Sequence, residues 1–270
     1  MNKLGENLVD IGYMDTLAAG DSPLHRLDPR AKIFTTFLFL VAVVSFNKYE
    51  VSALVPFFLY PVFLIFAGEL PAGYLAGKIL VVAPFAILVG IFNPVLDRQI
   101  LFHIGSLGIS GGWISFLSIL MRFVLTVSAA LALLSITGIN SICEALARSG
   151  VPRPFVVQLL FLNRYIFSLT GESERMSRAR SLRSCSHKAM NFGIFTQIAG
   201  HLLLRTFDRA ERVYQAMLCR GFDGHIRVVR YSRIGRREIA FMLVWAVLFV
   251  VFRFVNISLI LGQTVTGLLK

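Results

Sequence analysis

Residues 113–137 read WISFLSILMRFVLTVSAALALLSIT, an apolar run long enough to cross a lipid bilayer as a helix. A membrane-spanning helix needs about 20 consecutive, mostly apolar residues. This run carries one charged residue, Arg122, in 25 positions. The fold class therefore depends on whether the chain contains other runs of this kind.

The composition of the whole 270-residue chain is typical of an integral membrane protein. Apolar residues make up 56% and charged residues 16%, and the mean hydropathy is +0.71. Soluble domains average about a quarter charged residues. The sequence predicts about five transmembrane helices, at Ile33–Phe46, Val51–Ala67, Leu75–Leu96, Trp113–Thr137 and Ile239–Leu261.

The distribution of charge predicts the orientation of these helices. The formal net charge is +12, and residues 138–238 alone hold 17 Lys and Arg against 7 Asp and Glu. Cytoplasmic segments of membrane proteins are enriched in Lys and Arg. Because Arg26, Arg30 and Lys32 also precede the first span, we expect the N-terminus and residues 138–238 in the cytoplasm. A basic segment between membrane spans does not indicate a nucleic-acid partner.

The predicted fold is an all-α integral membrane protein with a helical cytoplasmic domain inserted before the last span. Its predicted parts are a cytoplasmic N-terminal segment (1–32), transmembrane helices one to four (33–137), the cytoplasmic domain (138–238), and the last transmembrane helix with a short tail (239–270).

Several local signals predict helices within the cytoplasmic domain. Ser141 and Glu144 match a capping box that starts a helix, and Gly150–Pro154 should end it. The apolar stretches Phe155–Leu169 and Phe192–Leu204 are interpreted as helices against the membrane face or against other helices. Gly221 is expected to end a further helix in the left-handed conformation.

Residues suited to catalysis form no recognisable group in the sequence. It has no complete P-loop, and the five histidines include no pair four residues apart. We therefore predict neither a catalytic nor a metal site. Arg122 and Arg253 lie inside predicted spans, where they are expected to snorkel or to bind backbone carbonyls. The alternative for both is a polar contact with a membrane partner.

Four short motifs resemble one transporter family. They are SPLHRLDPRAK at Ser22–Lys32, GVPRP at Gly150–Pro154, LNRYIF at Leu162–Phe167 and ERMSRAR at Glu174–Arg180. The first is similar to the N-terminal signature of the transmembrane coupling subunits of energy-coupling factor (ECF) transporters, the EcfT family. The other three resemble its cobalt branch, CbiQ, although nickel and vitamin systems share much of the pattern.

The resemblance implies two coupling sites. The family carries two Ala-Arg-Gly motifs at the ends of cytoplasmic helices, and each arginine docks on an ABC-type ATPase. The matching residues here are Ala179, Arg180 and Ser181, and then Cys219, Arg220 and Gly221. Ser181 departs from glycine and Cys219 from alanine. Supporting contacts are assigned to the neighbouring arginines Arg175, Arg178 and Arg183.

The resemblance also implies partners and a role. The chain would be a non-catalytic scaffold in the bacterial plasma membrane that binds no cofactor itself, with ATP on two CbiO-like ATPase subunits. It would join them to a CbiM-like substrate-binding membrane protein, with a small CbiN-like subunit, for cobalt uptake linked to cobalamin biosynthesis. The alternatives are the same subunit of a nickel or vitamin transporter, a membrane-embedded enzyme, or a self-contained carrier, which would need inverted repeats and midplane acidic residues.

Overall fold

The structure is a computed structural model that describes residues 12–47, 49–96, 100–104, 107–183, 192–224 and 235–254. It forms two compact units. The first unit contains the described residues of 14–138 and 232–270, and the second contains those of 1–13 and 139–231.

The first unit consists of helices and one β hairpin. Its helices are α1 (Pro29–Val44), α2 (Val51–Leu54), α3 (Leu59–Ala67), α4 (Ala72–Gly90), α5 (Phe92–Leu96), α6 (Gly111–Thr137) and α10 (Arg236–Phe254), and a 3₁₀ turn, Val55–Phe58, joins α2 to α3. Pro56 in that turn lacks the N–H that an α-helix would need there, which accounts for the tighter geometry.

Two helical stretches are long and apolar enough to cross a membrane by length and composition, Ala72–Pro94 and Gly111–Thr137. They include most of the third and fourth predicted spans. Val51–Ala67 is a shorter apolar helix, and α1 has 16 residues. The fifth predicted span corresponds to α10, but residues 255–261 of that prediction lie outside the described residues.

The all-α prediction is confirmed, and one short β hairpin adds to it. Strands β1 (Ile100–Ile104) and β2 (Leu107–Ser110) form an antiparallel hairpin between α5 and α6. The register pairs Ile104 with Leu107 and contains an irregularity between Ile100 and Phe102. The sequence analysis read this stretch only as a connection between two spans.

Aromatic side chains from α1, the 3₁₀ turn, α3 and α10 form the core of the first unit. The central members are Phe39, Phe57, Tyr60, Trp245 and Phe249. The Tyr60 hydroxyl lies 2.7 Å from Thr36 Oγ1, so a buried polar pair joins α1 to α3. Aromatic rings bury large apolar areas and favour tilted or edge contacts, as these pairs show.

Small residues allow α6 to pack closely against its neighbours. Ser118, Ala129, Ala132 and Ser135 are fully buried on this helix. Small residues let membrane helices approach each other at close distance. The helix contacts α1, α3 and α4, and it is therefore the central helix of the first unit.

Two arginines hold the end of α1. Arg122 Nη2 donates to the carbonyls of Phe46 at 2.9 Å and Asn47 at 2.6 Å, and Arg253 Nη2 donates to the carbonyl of Ser45 at 3.1 Å. The Arg253 guanidinium also lies 4.3 Å from the centre of the Phe46 ring. These contacts confirm that both arginines bind backbone carbonyls, which here belong to residues 45–47 at and just beyond the end of α1.

Among its described residues, the second unit contains the helices α7 (Ile139–Arg148), α8 (Arg153–Arg183) and α9 (Phe192–Cys219). At about 1.5 Å per residue, α8 and α9 are each more than ~40 Å long. For α8 the sequence analysis gave the apolar stretch Phe155–Leu169, and for α9 it gave Phe192–Leu204 and a further helix that ends at Gly221. Gly171 lies inside α8, where a glycine costs about 1 kcal/mol relative to alanine without breaking the helix.

The start of α7 differs from the prediction, but its end agrees. The helix begins at Ile139, so Ser141 is already inside it, and Glu144 forms an ion pair with Arg148 instead of capping the start. Gly150 follows the helix with a φ of +95°, and α8 begins at Arg153. The predicted stop at Gly150–Pro154 is therefore confirmed.

Candidate functional site

The second predicted coupling motif lies at a well-formed helix end. The last residue of α9 is Cys219, and Gly221 follows with a φ of +75°. The Gly221 N–H donates to the Leu218 carbonyl at 2.9 Å, and the Phe222 N–H donates to the Met217 carbonyl at 3.1 Å. This pair of bonds is the Schellman motif, which requires a left-handed residue at the position of Gly221. The prediction for Gly221 is confirmed, and Arg220 lies in the turn that this motif fixes.

The first predicted coupling motif has a different local geometry. Residues 179–181 lie inside the last turns of α8, which continues to Arg183. The Ser181 hydroxyl donates to the Arg178 carbonyl at 2.8 Å, a bond that an α-helix accommodates. Serine at this position keeps a helical conformation, whereas glycine would favour a helix end. Arg180 therefore lies within the helix and not beyond its end.

Solvent reaches both motifs. Ala179, Ser181, Cys219, Arg220 and Gly221 are exposed, and Arg180 is half-buried. In the described part of the chain, neither the Arg180 nor the Arg220 guanidinium has a hydrogen-bond or ion-pair partner, while the Arg220 backbone N–H donates to the Met217 carbonyl at 3.0 Å. An arginine presents a rigid planar fork of donors that can hold a carboxylate through two bonds. Both guanidinium groups offer donors of this kind.

The neighbouring arginines on α8 have separate environments. Arg175 Nη2 donates to Glu172 Oε2 at 2.8 Å, within the same helix. Arg178 and Arg183 are exposed and have no such partner in the described part of the chain. Arg175 therefore contributes to the stability of the unit, and Arg178 and Arg183 add positive charge around Arg180.

Glu172 joins the two long helices, a role that the sequence analysis did not predict. Its carboxylate bonds Arg175 on α8 and forms an ion pair with Arg205 on α9. The bonds from Arg175 and then Arg205 hold the pKa of Glu172 below its ordinary value. Residues 172 and 205 are far apart in sequence, so helical spacing within one element could not reveal this pair.

Exposed apolar side chains follow one face of α9. Phe195, Leu203, Phe207, Tyr214 and Leu218 are 44% to 64% exposed. Most are separated by four or seven residues, a spacing that places side chains on one side of a helix. This apolar stripe ends two residues before Arg220, so the helix presents apolar contacts and a terminal cation on its exposed surface.

The other motifs of the resemblance have structural roles. Asn163, only 8% exposed, donates to Asn140 Oδ1 at 3.3 Å and so ties α8 to α7. In the N-terminal motif, Asp28 caps α1 by accepting from the Arg30 N–H at 2.9 Å. His25 lies 2.7 Å from Ser22 Oγ and 3.0 Å from the Leu17 carbonyl, and burial lowers the pKa of His25 below its ordinary value.

Comparison with known proteins identifies a family. The CbiQ family model, described as "Cobalt transport protein", matches residues 20–230. A relative named energy-coupling factor transporter transmembrane protein EcfT, from Streptococcus thermophilus, is 26% identical over 80% of this chain and 86% of its own. Proteins of the same name from Bacillus subtilis and Limosilactobacillus fermentum are 24% and 26% identical, over 84% and 86% of this chain and 91% and 94% of theirs. The predicted resemblance is confirmed, and the chain belongs to the CbiQ family of cobalt transport proteins.

Proposed function

We propose that this chain is the transmembrane coupling subunit of an ATP-driven ECF-type importer, with cobalt ion as its cargo. Arg180 and Arg220 would each dock on one of two ABC-type ATPase subunits. The observation that carries the proposal is the pair of accessible arginines at the ends of two long helices that are joined to each other through Glu172. The family membership and the EcfT relatives support it.

The geometry of the helix ends suits the transfer of movement. A helix of about 30 residues is a stiff rod, and ATPase closure at one end would move it as a unit. A guanidinium group that makes two parallel bonds to a carboxylate would resist rotation at the contact between the helix end and the ATPase. A lysine would hold the same charge with less geometric control.

The apolar stripe on α9 would face the substrate-binding membrane subunit. An exposed apolar patch of this size indicates an interaction surface. Phe155 and Leu162 on α8 are also 64% to 66% exposed and could extend that surface. In this proposal the chain neither binds the cargo strongly nor hydrolyses ATP, and both tasks belong to its partners.

The decisive experiment is affinity purification of the tagged chain from its native membranes in mild detergent. We expect an ABC ATPase and a small membrane protein to co-purify, with ATPase activity in the eluate. Uptake assays in cells with radioactive cobalt and nickel then identify the cargo. Recovery of the chain alone, or substrate movement by the purified chain without ATPase, would favour a self-contained carrier.

The residue-level test is the double substitution Arg180→Ala and Arg220→Ala. We expect at least a roughly hundredfold loss of uptake, since two buried charge-assisted contacts of about 1.5–3 kcal/mol each would be lost. Membrane content of the protein should stay unchanged. Arg209→Ala, an exposed position on α9 that is three turns from the end, is the matched control. Normal uptake by the double variant would contradict the proposal.

A further inference from the structure

A groove in the first unit lies between the N-terminal loop, α3 and α10. Its volume is about 830 Å³, and its described lining residues belong to that unit. Its charged lining residues are Asp21, Arg26, Arg237 and Glu238, and its apolar ones include Leu24, Phe63, Phe241 and Val244. Along α10 the lining changes from charged, at Arg237 and Glu238, to apolar, from Ala240 to Trp245, so its charged end is the one at Arg237.

The length of the apolar part follows from the geometry of α10. Arg237 lies in the first turn of this helix, and Trp245 lies eight residues further on. At about 1.5 Å per residue, the apolar lining extends ~12 Å from the charged end. Trp245 is the last α10 residue among the described lining; it is 5% exposed, and its ring centre lies 5.1 Å from that of Phe63.

The charges at the groove end leave guanidinium donors unused. Arg26 Nε and Nη2 both bond the Asp21 carboxylate, at 3.0 and 2.9 Å, which leaves Nη1 available. Glu238 accepts from the Gly235 N–H at 2.8 Å and so caps the start of α10. Arg237 has no hydrogen-bond or ion-pair partner among the described residues. The carboxylates of Asp21 and Glu238 therefore already accept hydrogen bonds within the protein. The donors that remain for a ligand belong to the guanidinium groups of Arg26 and Arg237.

The helix dipole is unfavourable for the positive charge of Arg237 at the start of α10, and a bound anion would offset this effect. Basic residues oppose the helix dipole at an N-terminus, where the dipole favours anions. A phosphodiester between Arg237 and Arg26 would satisfy the unpaired guanidinium and complement the helix start. An apolar chain attached to that phosphate would follow the groove toward Trp245.

We infer that this groove binds one glycerophospholipid of the cytoplasmic leaflet, with its phosphodiester on Arg26 and Arg237 and one acyl chain along Leu24, Phe241 and Val244. The inference rests on the membrane orientation proposed above, which puts the start of α10 at the cytoplasmic surface. Basic pockets between membrane helices at that surface are suited to lipid headgroups. The bound lipid would fix the N-terminal loop against α10.

The test is native mass spectrometry of the purified full chain titrated with dioleoylphosphatidylglycerol. One phospholipid should bind, and Arg237→Gln should weaken its affinity roughly fivefold, the effect of losing one surface arginine contact. Arg236→Gln removes the same charge one residue away, outside the groove lining, and should leave the affinity unchanged. Equal losses in both variants would overturn the inference, because they would indicate diffuse attraction to charge.

A second pair of variants tests the apolar part without altering charge. Ala240→Trp fills the groove and should displace the lipid, whereas Leu243→Trp, at a position outside the lining, should not. Dioleoylglycerol, which lacks the phosphate, should bind more weakly than the phospholipid. Unchanged binding in Ala240→Trp, or full competition by inorganic phosphate alone, would also overturn the inference. The measurement needs neither ATPase nor cargo, so its failure and a failure of the coupling function are distinguishable.

Discussion

Gly221 is the residue whose backbone fixes the second coupling motif. Its φ of +75° is costly for any residue with a Cβ, by about 1–2 kcal/mol. We predict that Gly221→Ala lowers the free energy of unfolding of the purified protein by about 1 kcal/mol and weakens ATPase association, because Arg220 moves with the turn. Thermal unfolding in detergent and co-purification measure the two effects.

Gly200→Ala is the matched control for that substitution. Gly200 lies inside α9, and a Cβ there would meet nothing within 4 Å. Alanine favours a helix interior over glycine by about 1 kcal/mol, so this variant should be more stable than the parent. Equal behaviour of the two variants would show that the left-handed turn at Gly221 carries no special role.

Arg122 stabilises the fold through hydrogen bonds as well as through its charge. Its Nη2 atom donates to two carbonyls at the end of α1. We predict that Arg122→Lys lowers the free energy of unfolding by about 1 kcal/mol, because one hydrogen bond is lost while the charge remains. Thermal unfolding in detergent measures it. Arg236→Lys, at an exposed position without a partner in the described residues, should not change the unfolding midpoint.

The sequence predicted the conformation of a single residue well where that conformation depends on its neighbours in the chain. A glycine after a helical stretch favours a Schellman end, and Gly221 forms one. The prediction of a capping box at Ser141 and Glu144 was wrong, because Glu144 has another partner nearby in the sequence. Arg148 lies four residues later on the same helix, and Glu144 forms an ion pair with it. The tie between Glu172 and Arg205 could not be predicted, since it depends on how two helices pack.

The helices show why their boundaries were harder to predict than their existence. Polar residues inside Phe155–Leu169 argued against a span, but they do not break a helix, and α8 continues through them to Arg183. The hydropathy of the side chains changes along α8 and α9, while the backbone stays helical throughout. Hydropathy therefore marked Phe155–Leu169 and Phe192–Leu204 but not the full length of the two helices, and it gave no signal for the β1–β2 hairpin.

The contact between α8 and α9 depends on the charge of Glu172. Its pKa is lowered, so the stabilisation is present above the ordinary carboxyl value of 4.5 and is lost as the pH falls through the lower value in the folded protein. We predict that spin labels on α8 and α9 show a narrow distance distribution near pH 7 and a broader one at a pH below the lowered pKa of Glu172.

Two substitutions separate this effect from general acid unfolding. Glu172→Gln should give the broad distribution at both pH values, because Arg175 and Arg205 then lack their shared carboxylate. Glu174→Gln, two residues away on the same helix, should behave like the parent. A narrow distribution in Glu172→Gln would mean that apolar packing alone holds the two helices together.

The whole chain combines an apolar unit with a strongly basic segment. Residues 138–238 contribute most of the excess positive charge, and the second unit lies within this segment apart from its N-terminal residues. Moving many arginines across a membrane is unfavourable, so this segment should stay on the cytoplasmic side, where the chain is synthesised. Arg122 and Arg253 meet the loop after α1, and Asn47 in that loop should then lie on the opposite side.

Cysteine accessibility tests this orientation for the chain expressed without partners. Cys219 is exposed and Cys143 is buried, so Cys185→Ser provides a background in which Cys219 reports the coupling end. We predict that a membrane-impermeant maleimide labels Cys219 in everted vesicles but not in intact cells. Asn47→Cys, combined with Cys219→Ser, should show the reverse. Labelling of Cys219 in intact cells would place the basic segment outside, where it could not meet a cytoplasmic ATPase.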